Sequence, residues 1–349
     1  MELFNLGKVP WAESQLIYHA LGELNREALS LVSPATPYVC IGFHQDVDQE
    51  VDLEYCRTHH LPVFRREVGG GAVFLDGSQL FFQLIIRRDN PLAPLRLESF
   101  YRKFLDPVIQ VHRRLGIPAE YRPINDLVVN GRKISGTGAG EIGDCAVFVG
   151  NLILDFDYET MSRVLRVPDE KFREKVKKTI RENLSTIRAE LGVEAAARYL
   201  DADLNVMMVE EFAKVLGPLE PAQVDDELAG MIRNLEVRMI NQDWLHRKGK
   251  RVLGRRVKVR AGLEVFHRLH QAKGGLIRVD GAVADGCYRQ VAVSGDFFVH
   301  PKETISRLEQ FLEGRSVADV EAVLAEFFAG HNFDPLVVTK DDWLAVLKL

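Results

Sequence analysis

The apolar residues recur at two spacings along the chain, and each spacing predicts a different element. A helical period is present in residues 12–25, in residues 100–115 and in the charged stretch 168–216. Pro107 interrupts the second of these stretches, so we expect a kink or a new helix there. Short, mainly apolar runs predict strands at residues 38–43, 62–65, 72–75, 80–86 and 147–156.

A hairpin is predicted around Asn130-Gly131, because both residues accept the positive φ angles that a two-residue turn requires. Residues 126–129 and 133–136 supply its two strands. Hairpins mixed with helices favour an α+β fold with a mixed or antiparallel sheet over a doubly wound parallel sheet.

The character of the chain changes between residues 217 and 250, where prolines precede a basic run at residues 246–256 that is typical of a connector. Beyond it we predict strands at 275–279 and 288–293 that meet near Asp280-Gly281, a helix at 305–312, and a second helix opened by a capping box at Ser316. We therefore predict a larger domain over residues 1–248 and a small α+β domain, of ββαα type, over residues 249–349.

Composition narrows the function classes. The formal net charge of -5 argues against nonspecific nucleic-acid binding. We find neither a signal peptide at the first residues nor an apolar run long enough to cross a membrane, so we expect a cytoplasmic protein that binds no membrane. No CxxC pair occurs among the cysteines, which argues against a zinc knuckle or a disulfide framework. The four cysteines are Cys40, Cys56, Cys145 and Cys287.

Three consecutive glycines follow two arginines in FRREVGGGAVF, residues 64–74. Without Cβ atoms, successive backbone N–H groups can converge on an anion, and a nearby guanidinium can complete a phosphate or carboxylate clamp. The alternative is a tight turn beside solvated arginines. The chain lacks a Walker A pattern, and GTGAG at residues 136–140 lacks the spacing of a dinucleotide fold.

A cation and a carboxylate flank the predicted hairpin in INDLVVNGRKISG, residues 124–136. Lys133 suits neutralisation of a carboxylate or an α-phosphate, and Asp126 suits Mg²⁺ or an amine. The alternative is an exposed lysine beside a β-turn.

Together, RRxxGGGxVF and the later NDLxVxGxKISG resemble the lipoate-protein ligase A family of the biotin/lipoate protein ligase superfamily. NLSTIR at residues 183–188 is similar to that family's TSVR-type segment. GGLI at 274–277 and SGDFF at 294–298 resemble its accessory domain, so the resemblance covers nearly the whole chain.

The resemblance implies that lipoate attacks the α-phosphate of Mg²⁺-ATP to form lipoyl-AMP, and that a lysine of an acceptor lipoyl domain then takes the lipoyl group. Such acceptors are the E2 subunits of 2-oxoacid dehydrogenases, the H protein of glycine cleavage or a similar lipoate-binding protein. Lys133 would stabilise charge in both steps, and Asp126 would hold Mg²⁺ or position the incoming lysine. The residues implied at the substrate and cofactor site are Arg65, Arg66, Gly69, Gly70, Gly71, Ala72, Val73, Phe74, Asn125, Ser135 and Gly136.

The chain departs from the family pattern at two places. Leu75 stands where the family usually has a histidine, and Phe148-Val149 stand where many members have two. We expect altered acyl or acceptor selectivity rather than lost chemistry. Three alternatives stay open: octanoyl or lipoyl transfer through a cysteine thioester, with Cys145 the nearest candidate; biotin ligation; and a carrier-domain binder without catalysis.

Overall fold

The computed structural model describes residues 1–93, 97–123, 125–199, 201–248, 257–260, 263–330 and 338–349. The chain divides into two compact units. The first comprises Met1–Cys40, Val51–Glu67 and Val73–Asn241, and the second comprises Ile41–Glu50, Val68–Ala72 and Gln242–Leu349. The predicted domain boundary after residue 248 lies at the edge of the described residues, and most of the basic run at 246–256 lies outside them. The boundary and the connector therefore stay predictions.

Sixteen strands and fourteen helices are assigned within the described residues. The strands are β1 (Glu2–Val9), β2 (Ala28–Pro34), β3 (Tyr38–Ile41), β4 (Val63–Arg65), β5 (Val73–Leu75), β6 (Gln79–Arg87), β7 (Glu120–Arg122), β8 (Asp126–Val129), β9 (Arg132–Ser135), β10 (Thr137–Ile142), β11 (Cys145–Ile153), β12 (Glu220–Pro221), β13 (Val257–Arg260), β14 (Leu263–Ala272), β15 (Gly275–Ala284) and β16 (Cys287–Gly295). The helices are α1 (Trp11–Glu23), α2 (Val47–Glu50), α3 (Leu53–Thr58), α4 (Leu97–Arg114), α5 (Tyr158–Val164), α6 (Glu170–Asn183), α7 (Ile187–Leu191), α8 (Val193–Ala196), α9 (Asp201–Leu216), α10 (Asp226–Met239), α11 (Gln242–Leu245), α12 (Thr304–Leu312), α13 (Val320–Ala329) and α14 (Lys340–Leu347).

The first unit is built on a sheet of six strands in the order β10-β11-β6-β2-β1-β12. β1 runs parallel to β2 and β12, whereas the other neighbours are antiparallel. The sheet is therefore mixed, which confirms the predicted α+β class. Because side chains alternate along β6, Gln83 points toward α1, where it donates to the Ser14 carbonyl at 2.7 Å, while Phe82 joins the apolar core that includes residues of α4 and α9.

Two three-stranded sheets complete the first unit, in the orders β4-β3-β5 and β7-β8-β9. β3 lies between β4 and β5, so the strands on either side of the glycine loop do not pair with each other. The predicted hairpin is confirmed as β8 and β9, with φ of +49° at Asn130 and +76° at Gly131.

Two helices of this unit add to what the sequence predicts. At Pro107 the sequence predicts a kink or a new helix; no new helix begins there, because α4 continues through this residue, and the kink stays a prediction. The apolar face of α4 packs in the core and offsets the lost hydrogen bond. The sequence did not predict α10, which begins at Asp226 after Asp225 caps the Leu228 N–H at 2.9 Å and packs against α1. Packing against α1 thus stabilises a helix that begins just after the prolines of this stretch.

The second unit contains the antiparallel sheet β13-β14-β15-β16 and an apolar core to which α12, α13 and α14 contribute. This is larger than the predicted ββαα module. The predicted turn at Asp280-Gly281 is wrong, because β15 continues through both residues and the turn lies at Asp285-Gly286, which have φ of +52° and +75°.

The capping box predicted at Ser316 is also wrong. α13 begins at Val320, and Asp319 forms no side-chain cap. A capping box occurs instead at the start of α14, where Thr339 and Asp342 exchange hydrogen bonds between side chain and backbone. Within the described ranges, no helix is both long and apolar enough to cross a membrane.

Candidate active site

The β8–β9 hairpin brings Lys133 and Asp126 together, as the sequence predicts. Lys133 Nζ lies 2.8 Å from Asp126 Oδ1, and Arg122 on β7 lies 2.8 Å from Asp126 Oδ2. Burial would raise the pKa of Asp126, but the two cations outweigh it and hold the pKa below its usual range. Asp126 is therefore an anion at neutral pH that orients Lys133, whose side chain is one-third exposed (33%) and accessible to a ligand.

This pairing bears on the predicted metal role of Asp126. Each of its oxygens already contacts a cationic side chain, and no group of three or more metal-binding side chains occurs in the described part of the chain. A direct Mg²⁺ ligand normally offers an oxygen free of competing cations. The arrangement does not favour that role, which stays a prediction.

Ser135 and Gly136 are anchored to the central sheet by a buried polar relay. The Ser135 hydroxyl donates to the Asn151 carbonyl at 2.6 Å, and Gly136 N–H donates to Asn151 Oδ1 at 2.8 Å. Asn151 in turn donates to Gln79 Oε1 at 2.6 Å. These bonds fix the end of β9. Because Ser135 is fully buried, its hydroxyl holds the backbone in place and is not exposed to a ligand.

Asn125 precedes the hairpin and is tied to β10. Its side-chain amide donates to the Thr137 carbonyl at 3.1 Å, and the Thr137 hydroxyl donates to the Asn125 carbonyl. The half-buried Asn125 thus links the two ends of the motif that contains Lys133. A ligand contact by Asn125 stays a prediction.

The predicted NLSTIR segment returns to the same hairpin. Ser185 N–H donates to the Lys133 carbonyl at 2.7 Å, and Leu184 forms a parallel bridge with Lys133. Thr186 then caps α7 by accepting from the Ala189 N–H at 3.0 Å. This segment therefore fixes the backbone of Lys133, leaving its side chain to act.

The two arginines ahead of the glycines have different surroundings. Arg65 is fully buried, whereas Arg66 is half-buried and directs its guanidinium to the Cys40 carbonyl and thiol, at 3.4 and 3.6 Å. Burial raises the pKa of the Cys40 thiol. Of the two, Arg66 has the more accessible side chain for the predicted anion clamp.

The glycine loop lies in the second unit, and its three glycines differ. Gly70 has φ of +93°, which favours glycine. A Cβ at Gly69 would lie 2.9 Å from both the Phe297 carbonyl oxygen and the Phe298 ring. At Gly71 the nearest atoms, in Asp296, would be 3.8 Å away. Packing accounts for Gly69 and backbone conformation accounts for Gly70, so the predicted ligand contact bears most directly on Gly71.

Strand β5 follows the loop and separates its side chains onto two faces. Val73 is exposed, whereas Phe74 and Leu75 are buried. Because consecutive residues of a strand point in opposite directions, Val73 and Phe74 do not line one channel from the same face. Ala72, half-buried, joins the loop to this strand; its ligand contact and the acyl-channel roles stay predictions.

Phe148 has a core role rather than an exposed one. It is fully buried, and its ring lies 5.5 to 6.2 Å from four other aromatic rings, which belong to Phe82, Phe100, Tyr101 and Phe104. Val149, on the opposite face of β11, is half-buried. Phe148 is therefore a central residue of the aromatic core.

None of the three most buried cysteines is prepared for nucleophilic attack. Burial raises the pKa of Cys145 and of Cys56 to about 11 in each case, and burial also raises the pKa of Cys40. A thiol needs a lowered pKa, or an adjacent base, to attack as a thiolate at neutral pH. This environment argues against a thioester mechanism through Cys145.

Sequence reasoning missed three polar residues that build the site: Arg122, Asn151 and Gln79. Asn151 carries a usable signal, since it is the single amide in the apolar run VFVGNLIL, and a buried polar group requires hydrogen-bond partners. Arg122 and Gln79 have no such signal in the sequence, because their hydrogen-bond partners are set by the pairing of β7 with β8 and of β6 with β11.

Residues 8–213 match the model of the lipoyl protein ligase A/B catalytic domain. The chain belongs to this family. That match confirms the resemblance read from the glycine loop and the Lys133 motif, and it covers both. It ends before α10, and the residues beyond it are covered by the comparisons with whole relatives.

Two curated relatives cover different shares of the chain. A lipoate–protein ligase 1 of Staphylococcus aureus is 25% identical over 346 residues, which are 95% of this chain and 91% of that protein. An octanoyltransferase LipM of Kyrpidia tusciae is 26% identical over 259 residues, 68% of this chain and 92% of that protein. The similarity to the ligase thus extends over the accessory region as well.

Solved structures of family members share the fold. A bipartite lipoate protein ligase of Thermoplasma acidophilum, described with its E2 lipoyl domain, has a TM-score of 0.63 at 24% identity and covers 72% of this chain and 98% of its own. A lipoate-protein ligase A bound with ATP has a TM-score of 0.58 at 21% identity, with coverages of 70% and 98%.

Proposed function

We propose that this lipoyl protein ligase family member is an ATP-dependent lipoate–protein ligase that forms lipoyl-AMP and transfers the lipoyl group to a lysine. The observation that carries the proposal is the Lys133–Asp126 pair, 2.8 Å apart on a hairpin within the region that matches the family model. The full-length similarity to a lipoate–protein ligase supports the same conclusion.

The reaction has two displacements. In the first, a carboxylate oxygen of lipoate forms a bond to the α-phosphorus of ATP while the bond from that phosphorus to the bridging oxygen breaks, and pyrophosphate leaves. In the second, the unprotonated ε-amine of the acceptor lysine attacks the acyl carbon, AMP leaves and the amine loses a proton. Both transition states gather negative charge at the phosphate or at the acyl oxygen.

We assign to Lys133 the stabilisation of that negative charge. A preorganised cation contributes several kcal/mol when it is aimed at developing charge in a site that excludes water. Asp126 keeps the lysine oriented, and the bond from Ser185 to the Lys133 carbonyl fixes its backbone. When substrate binds, Lys133 Nζ would exchange part of its contact with Asp126 for the α-phosphate and the lipoyl carboxylate.

Gly71 is the residue of the glycine loop that we assign to nucleotide or lipoyl-carboxylate contact, because a Cβ there would clash with no neighbour among the described residues and would lie 3.8 Å from the nearest, Asp296 Cβ. A backbone N–H that a side chain does not cover can approach a phosphate closely. Arg66, in the first unit, is separately proposed to supply positive charge to a bound anion.

Magnesium is proposed to accompany the triphosphate. Mg²⁺ is commonly held by phosphates and water with one or two carboxylates, and it would neutralise the leaving pyrophosphate. Since both oxygens of Asp126 pair with cations, the triphosphate and water, rather than Asp126, are proposed to hold the ion.

The proposed acceptors are lipoyl domains of 2-oxoacid dehydrogenase E2 subunits, H proteins of glycine cleavage or similar lipoate-binding proteins. A ligase described with its E2 lipoyl domain among the structural relatives supports this class of partner. The cytoplasmic setting predicted from the sequence is proposed with it.

The deciding experiment is intact-mass spectrometry of a lipoyl domain incubated with the protein, lipoate and Mg²⁺-ATP. The expected result is a gain of one lipoyl group that requires ATP and is absent with Lys133→Ala. No gain with several acceptor domains, together with no pyrophosphate release, would reject the ligase.

The second candidate is octanoyl transfer, which the similarity to an octanoyltransferase favours. A parallel reaction supplies octanoyl-acyl carrier protein in place of lipoate and ATP. A mass gain without ATP that is lost in a cysteine variant would establish the transferase. The raised pKa of Cys145, about 11, leads us to expect no such gain.

A further inference from the structure

The glycine loop and a C-terminal segment are packed backbone against backbone within the second unit. The loop, Val68–Ala72, and the segment Gly295–Phe298 both belong to this unit although they are far apart in sequence. A Cβ built on Gly69 would lie 2.9 Å from the Phe297 carbonyl oxygen and 2.9 Å from Phe298 Cδ1. The Phe298 ring therefore covers Gly69 at a distance that admits only glycine.

The C-terminal segment is itself rigidly held. Gly295 N–H donates to the His44 carbonyl at 3.1 Å, and Asp296 Oδ1 accepts the Leu276 N–H at 2.5 Å. Phe297 is fully buried, and its ring stacks on His44 at 5.2 Å and meets Trp343 edge-on at 5.8 Å. Phe298 thus projects from a fixed backbone, which lets its ring define a position for Gly69.

A third segment joins the same arrangement. Phe43 N–H donates to the Val68 carbonyl at 3.1 Å, and a Cβ on Gly42 would lie 1.9 Å from the Gly70 carbonyl oxygen. The loop is therefore held at Val68 and Gly70 by residues 42–43 and at Gly69 by residues 297–298. Gly71, the next residue, has room for a Cβ, which would lie 3.8 Å from Asp296 Cβ and 3.9 Å from Asp296 Oδ2, in ordinary contact.

We propose that Phe298 is a positioning residue for nucleotide binding: by fixing Gly69 it sets the backbone orientation of Gly71 toward the phosphate. The proposal rests on the proposed nucleotide role of the loop. Phe298 suits this role better than Phe297, because Phe298 is only half-buried and lies outside the apolar core of the second unit, so its loss leaves that core in place.

The test compares Phe298→Ala with Phe311→Ala and Phe298→Leu in the full-length protein. Phe311 is a matched control, since it is a half-buried phenylalanine of the same unit that packs on Phe327, 5.3 Å between ring centroids. Two readouts are taken for each variant: the KM for ATP in lipoate-dependent ATP–pyrophosphate exchange, and hydrogen–deuterium exchange of the peptide that contains residues 68–72.

For Phe298→Ala we expect the KM for ATP to rise about 10- to 100-fold, as small displacements of positioning groups do, with faster amide exchange in the loop peptide. Phe298→Leu should recover most of both values, and Phe311→Ala should change neither. Equal effects of Phe298→Ala and Phe311→Ala, or unchanged loop exchange in Phe298→Ala, would overturn the proposal.

The two readouts separate this inference from the proposed function. If the wild-type protein shows no ATP–pyrophosphate exchange, the ligase proposal fails. Hydrogen exchange still reports on the loop in that case, and faster exchange confined to Phe298→Ala would uphold the positioning of Gly69 by Phe298 alone.

Discussion

Replacement of Lys133 by alanine should separate catalysis from stability. The side chains of Lys133 and Asp126 are 33% and 24% exposed, so their ion pair is partly solvated. Such pairs contribute about 0–1 kcal/mol to folding. Asp126 also retains Arg122 at 2.8 Å, and it is therefore not left without a cation. We expect the free energy of unfolding of Lys133→Ala to fall by less than about 1 kcal/mol.

Activity should respond far more strongly. Removal of one preorganised group that stabilises transition-state charge costs about 10²–10³-fold in rate, or roughly 3–4 kcal/mol. The assay is single-turnover formation of lipoyl-AMP, with urea unfolding of the same preparation. Lys133→Arg should keep the ion pair and the stability but recover only part of the rate, because the planar guanidinium places its charge differently.

Lys178→Ala provides the matched control, since Lys178 is an exposed lysine that pairs with Glu182 at 3.7 Å on α6. It should change neither rate nor stability. Lipoyl-AMP formation by Lys133→Ala at the wild-type rate would refute the assignment. A loss of rate that only parallels a loss of folded protein would refute the reasoning as well.

Four further predictions follow from the geometry. Cys145→Ser should leave ATP-dependent lipoylation of the acceptor unchanged by mass spectrometry; loss of transfer would revive the thioester route. Gly71→Ala should raise the KM for ATP without loss of stability, whereas Gly70→Ala, forced to φ of +93°, should lose about 1–2 kcal/mol in urea unfolding; equal stability losses would contradict this. Asn151→Leu leaves the buried Gln79 Oε1 and the half-buried Gly136 N–H without their partner and should lower the unfolding free energy by about 2–4 kcal/mol; a near-neutral result in urea would count against the relay. Because the pKa of folded Asp126 is depressed, its stabilising contribution is present above the unfolded value of about 3.9 and is lost as pH falls through the folded value; Asp126→Asn should flatten that part of the stability-versus-pH curve, and an unchanged curve would refute it.

The sequence predicted best where the signal is local. The turn at Asn130-Gly131 needs two positive φ angles, and few other dipeptides accept them, so the position of the hairpin and the pairing of Lys133 with Asp126 followed. The capping box predicted at Ser316 failed because its residue types also occur in turns. The turn predicted at Asp280-Gly281 failed because β15 continues into a longer pairing with β14.

The glycine loop separates what the sequence determines from what only the tertiary structure decides. By itself the sequence determined the family, the hairpin and the charges at Lys133 and Asp126, because these depend on residue identity at short spacing. Only the tertiary structure decided that Gly69 is covered by Phe298, that Ser135 is buried on Asn151, and that Phe148 belongs to the core. Each of these depends on packing between segments distant in sequence, and no local pattern encodes which atoms will occupy the space beside a missing side chain.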